Sequence, residues 1–195
     1  LRVLRRRSLA ALRAEVEPVA AETLGVFLPR WQGLGALRGV DGLLRVVEQL
    51  SGAAVPASAL ETLVLPARVS DYTPTMLDEL TTTGEVVWCG HAPLPGSGGG
   101  DGLVSLHLAE WAPLTLPDPG PAPETGLHAT LLDLLEGSGG YFLPRLAERA
   151  GAETVPTLEA LWDLVWSGHV TNDGLGSLRA RLGAAGGAHR APRAR

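Results

Sequence analysis

The chain has 195 residues, of which 45% are hydrophobic, enough apolar material for one or two small folded domains and too much for wholesale disorder. The formal charge of −5 is unevenly spread: residues 1–38 carry seven Arg against three Glu, residues 39–125 two Arg against eleven acids, and residues 126–195 seven of each. This balance argues against tight non-specific DNA binding by the whole surface and leaves room for a local basic strip. All sixteen basic residues are Arg, and the one cysteine, Cys89, excludes an internal disulfide and fits a reducing, cytoplasmic compartment. Pro, Gly or a charge interrupts every apolar run before it reaches membrane-spanning length, so no membrane partner is expected. The leading arginines are not followed by the apolar stretch of a signal peptide.

In chain order, residues 1–17 read as a basic helix with Leu9, Leu12 and Val16 on one stripe and Arg5, Arg6, Arg7 and Arg13 over the rest. Its abrupt start, without Met or cap, reads as a segment of something longer. Phe27, Leu28 and Trp31 are expected to anchor this leading part, residues 1–38, to the helical region that begins near Val40. There Leu43, Val46, Val47 and Leu50 mark a helix that Gly52 stops. Ser58 is a candidate N-cap for a second helix carrying Leu60, Leu63 and Val64. Thr73 before Pro74 suits the start of a third, with proline at its first position. Residues 85–89 read as a strand and 93–102 as a mobile loop. Residues 103–108 return as a strand with Val104, Leu106 and Leu108 inward and Ser105 and His107 outward. Five prolines between 113 and 123 mark a linker, placed at 118–126. Helices are expected at 128–135, 142–149, 158–166 and 175–182, and residues 183–195 as a disordered tail.

The chain repeats itself. Aligning Leu77 with Leu161 places Leu80 on Leu164, Gly84 on Gly168 and Val86 on Val170. At the same offset Gly42 and Leu43 meet Gly126 and Leu127, and Val47 and Leu50 meet Leu131 and Leu134. Each copy reads as three helices, a glycine stop and a strand, an internal duplication of about 80 residues. Helix, glycine turn and strand is how the third helix of a winged helix-turn-helix enters its wing. The predicted fold is therefore mainly α with a small β-hairpin (α+β), as tandem winged helix-turn-helix repeats. The first spans 39–117, and the second spans 127–182, its wing lacking a clear returning strand.

Catalytic signatures are missing from the sequence. The glycine-rich loop 96–102 lacks the Lys and following helix of a phosphate-binding loop. Cys89, His91 and His107 form a metal-like group without a convincing fourth ligand, better read as a solvated histidine pair. Asp78, Glu79 and Asp163 lie on third helices and read as exposed or capping acids.

Several stretches taken together resemble the C-terminal region of Lhr, the bacterial large helicase-related proteins. They are Leu4 to Val19 with its run Arg5-Arg6-Arg7, Phe27-Leu28-Pro29-Arg30-Trp31-Gln32-Gly33, residues 56–69, and the two copies at 77–88 and 161–173. The resemblance covers the chain to about Leu182. It implies a non-catalytic segment of an ATP-dependent superfamily 2 helicase, a hydrolase moving 3′ to 5′ on single-stranded DNA in repair. ATP and Mg would then belong to a motor half that this chain lacks, and no cofactor or metal to this segment. It also implies tandem winged helices that form oligomers and, in some members, uracil-glycosylase activity, for which no catalytic residue transfers to a position here.

The expected partners are DNA, above all single-stranded, the remaining domains of the parent helicase, and a second copy of the chain. The acidic third helix of the first repeat speaks against groove reading there. Candidate phosphate contacts are therefore Arg5, Arg6, Arg7 and Arg13, then Arg145, Arg149, Arg179 and Arg181. An interaction scaffold and a glycosylase fragment are the alternative readings.

Overall fold

A computed structural model describes residues 3, 5–8, 11, 19–98, 100–121, 123, 125–136 and 139–184. The chain forms two compact units, residues 1–34 and 35–195. In the first, Arg5, Arg6 and Arg7 are helical and exposed, whereas Arg13 lies outside the described residues. Helix α1 (Ala21–Trp31) follows and holds no buried residue. Its Phe27 and Trp31, one helical turn apart, stack on each other with ring centroids 6.4 Å apart.

The second unit begins with α2 (Gly39–Leu50), whose Leu43, Val46 and Val47 fall on one stripe and are fully buried. The Asp71 carboxylate accepts the Gly39 N–H at 3.0 Å and so occupies the positive end of this helix. Strand β1 (Val55–Pro56) leads into the short α3 (Ala57–Ala59), which continues as a π-helical turn over Leu60–Val64. Ser58 does not cap this turn itself. Its N–H and hydroxyl both donate to the carboxylate of Asp101, at 3.2 and 2.5 Å. Asp101 is 3% exposed, so the end of the glycine-rich loop, expected to be mobile, is tied into the interior. Helix α4 (Pro74–Thr82) starts with proline as predicted, although the Thr73 side chain makes no capping bond. Gly84, at φ +76°, turns the chain into β2 (Val86–Pro93). Strand β3 (Gly102–Leu108) returns antiparallel between β1 and β2, in the order β1-β3-β2. Three helical segments under a small antiparallel sheet make a winged helix, with Trp88, Val104 and Leu106 of the hairpin closing its core.

The second repeat supplies α6 (Gly126–Leu135), α7 (Leu143–Ala150) and α8 (Thr154–Trp166), after a single turn α5 (Ala112–Thr115). Leu131, Leu146, Ala160 and Leu164 form its own small core. Gly168 has φ +79°, matching Gly84 in the first copy, as the sequence register predicts.

Beyond that glycine the two copies part. No strand is described between 169 and 175. Instead the Thr171 hydroxyl donates to the Trp88 carbonyl at 2.6 Å, and the Trp88 indole N–H donates to the Asn172 carbonyl at 2.9 Å. Helix α9 (Gly176–Ala184) then places Leu175 and Leu178 in the core of the first repeat, where Trp162, Val165 and Trp166 also lie. Each buried leucine contributes about 1.5–3 kcal/mol. The expected linker therefore does not separate two independent modules: residues 35–195 make one unit. Of the tail placed at 183–195, residues 183 and 184 end α9, and the remainder lies outside the described residues.

Candidate nucleic-acid interface

The arginines singled out in the sequence divide by environment. Arg179, on α9, donates through Nε and Nη2 to Glu61 at 2.7 and 2.9 Å and through Nη1 to both oxygens of Asp78 at 2.9 and 3.0 Å. Its hydrogen bonds to Glu61 hold the guanidinium charged well beyond the ordinary arginine range. Arg181 makes two bonds to Glu159, at 2.6 and 2.8 Å, and lies 5.6 Å over the Trp162 ring. Both were candidates for phosphate contact. Both are instead engaged in fastening α9 to its neighbours, because carboxylates distant in sequence meet them in the fold.

The other two are on α7. Arg145 is exposed and pairs with Glu148 one turn on. Arg149 lies 5.3 Å over the Tyr141 ring and donates to its hydroxyl at 2.9 Å. Among the described residues no carboxylate lies within ion-pair distance of Arg149. Phe142, the residue preceding α7, is 88% exposed. It stands at an open groove of about 780 Å³ between the hairpin and the second repeat, with Trp88, Tyr141, Leu161, Trp162 and Val165 also in its wall. Thr171, Asn172, Asp173 and Ser177 add polar groups.

The third helices, where groove recognition is expected in this fold, are not available in the usual way. Asp78 of α4 is held by Arg179, and α4 carries the acidic Glu79 beside it. In α8, Trp162, Leu164, Val165 and Trp166 are buried.

The histidine group proved to be a buried chain, not a solvated pair. His107 is fully buried and His91 half-buried. Thr115 donates to the Trp111 carbonyl at 3.0 Å, so its oxygen accepts from His107 Nδ1–H at 2.9 Å. Neutral His107 then accepts at Nε2 from the Ser105 hydroxyl (2.7 Å), which accepts from His91 Nε2–H (2.7 Å). Ser105 and His107 were expected to face solvent, but the turn that carries Thr115 covers that face of β3. Among the described residues no group of three potential ligands is placed to hold a metal.

Burial depresses the proton affinity of both rings, and the neighbouring His91 adds to the effect on His107. Depressed histidines contribute stability that is present above about pH 6.5 and lost as pH falls through their folded values. We expect the melting temperature to fall on acidification from pH 7.5 to 5, and to fall less in His91→Gln, which keeps a donor to Ser105 without a titrating ring. An equal fall in the variant would show that His91 does not carry the effect.

Residues 19–109 match the family described as large helicase-related protein, winged-helix domain. Residues 19–109 are thus similar to a winged-helix domain of the large helicase-related proteins. The chain is 47% identical over 186 residues to the Lhr helicase/probable uracil glycosylase of Mycolicibacterium smegmatis, covering 93% of this chain and 12% of that protein. It is 39% identical over 203 residues to the Lhr helicase/uracil glycosylase of Escherichia coli, covering 92% of this chain and 13% of that protein. The chain thus spans about an eighth of the relatives it matches. Among the described residues no helix is long and apolar enough to cross a membrane.

Proposed function

We propose that this chain is a non-catalytic segment of an ATP-dependent DNA-repair helicase and contributes single-stranded DNA contacts through arginines outside the third helices. The observation that carries the reading is the exposed position of Arg149, which lies over the Tyr141 ring and has no carboxylate partner among the described residues. The exposed Arg5, Arg6 and Arg7 offer a second set of charges on the leading helix. A groove-reading mode is disfavoured, because α4 carries no arginine, exposes the acidic Glu79 and has Asp78 already bound to Arg179. Contacts of this kind suit a flexible single strand, whose backbone follows scattered charges.

Fluorescence anisotropy with single-stranded and duplex DNA at two salt concentrations tests it. We expect tighter binding of the single strand. Each phosphate contact removed, as in Arg149→Ala, should lower the slope of log affinity against log salt by about 0.7. Absence of binding at low salt would overturn the reading.

A scaffold role for the same segment is favoured by one observation. Arg179 and the two leucines of α9 join the second repeat to the first, as expected of a rigid spacer between other parts of a large protein. The glycosylase activity in the relatives' names is a proposal for the whole protein. Asp173, a carboxylate in the groove wall, is exposed and lacks the desolvated setting that tunes catalytic acids. We expect this chain alone to release no uracil from uracil-containing DNA.

A further inference from the structure

We infer that the groove between the hairpin and the second repeat is a binding site for an unpaired nucleobase, with Phe142 as a stacking face and Arg149 on the adjoining phosphate. This rests on the DNA-contact reading above and names the part of the DNA that this surface takes.

Three features point to a base as the occupant. The volume, about 780 Å³, lies within the range of small-molecule sites and leaves ample room for one base. The wall presents the exposed Phe142 ring and the half-buried Tyr141, with the buried Trp88 and Trp162 also in its lining, and every base offers a π-face to an exposed ring. Polar groups also enter the wall. The Asn172 side-chain oxygen accepts the Gly174 N–H at 3.2 Å, which leaves its NH₂ group to donate to a base carbonyl. An apolar peptide side chain would leave these polar groups unmatched.

The charges fit the same occupant. Arg149 lies seven residues after Phe142, two helical turns along the same side of α7. Its position over Tyr141 holds the guanidinium in place while its charge is not neutralised by a carboxylate. Arg145, between them, is already offset by Glu148, which makes Arg149 the stronger phosphate contact. Phe142 contributes little to the fold, since its side chain is in solvent. Its exposure at the mouth of an aromatic groove is explained by a ligand that covers it.

The test compares a twelve-residue oligothymidylate with an abasic strand of the same length and charge, by anisotropy, using the whole 195-residue chain. Oligothymidylate is expected to bind on the order of tenfold more tightly, within the range of about fivefold to 150-fold that one base–aromatic stack supplies. Phe142→Ala should remove most of that advantage while leaving the melting temperature unchanged, and Phe142→Trp should restore it. Arg149→Ala should weaken both strands. Equal binding of the two strands, unaffected by Phe142→Ala, would overturn the base site and leave the phosphate contacts standing. No binding of either strand at low salt would overturn the DNA reading itself, and the base site with it.

Discussion

Gly90→Ala is expected to destabilise the 35–195 unit by about 3 kcal/mol, a fall in melting temperature of roughly 6–12 °C. A methyl group at this position would lie 2.2 Å from the Val165 carbonyl oxygen and 2.9 Å from its carbon, closer than atoms can approach. The obstruction is backbone, so no side chain can rotate away. The Val165 carbonyl also accepts the Gly168 N–H at 3.0 Å, within the turn that ends α8. Moving it would disturb that turn as well. Gly102, on the facing strand, repeats the constraint: its added carbon would meet the Trp166 ring at 2.6 Å. Two glycines on paired strands thus form the seat for the end of α8. Gly174→Ala provides the comparison, because nothing lies within 4 Å of its added carbon. It should change stability by no more than about 0.5 kcal/mol. Equal melting of the two variants would mean that the second repeat does not seat on the hairpin in solution.

That seat shows where sequence reading stops. The helices at 39–50 and 74–82 and the glycine turns at 84 and 168 were legible because their signals are local: an apolar stripe at helical spacing, a proline start and a glycine stop. The need for glycine at 90 comes from a carbonyl 75 residues later, and nothing beside Gly90 announces it. The burial of Ser105 and His107 was missed for a related reason. Strand alternation predicts which residues share a face but not what covers it. The divergence after Gly168 was partly readable. Asn172 stands where the first copy has Trp88, and no second apolar strand follows to pair with it. The structure uses that segment to satisfy the Trp88 indole instead. Of the arginines, Arg149 and Arg179 look alike in sequence. Only the fold shows that Arg179 meets two acids 118 and 101 positions away while Arg149 meets a ring.

Arg179→Ala is expected to cost about 2–3 kcal/mol, or roughly 4–12 °C in melting temperature. The guanidinium bridges Glu61 and Asp78, and Tyr72 donates its hydroxyl to the same Glu61 at 2.6 Å. Burial, with the Glu61 carboxylate beside it, holds that hydroxyl protonated far above the ordinary phenol range. The Glu61 side chain is only 16% exposed, so removing the arginine strands a carboxylate that keeps one hydrogen bond and little water. The partial exposure of Arg179 and Asp78, 30% and 41%, places the cost below that of a fully buried pair. Lysine should not rescue it, since one ammonium cannot present the forked donors that reach both acids. Glu61→Gln in the Arg179→Ala background should recover part of the loss, because the stranded charge is gone; thermal melts of the four proteins in the cycle measure this coupling. DNA affinity separates this role from phosphate binding. The guanidinium is already committed to two carboxylates, so Arg179→Ala should leave oligothymidylate binding unchanged at temperatures where the variant is folded. A tenfold loss of binding there would place Arg179 at the DNA and against the fastening role its two carboxylate partners indicate.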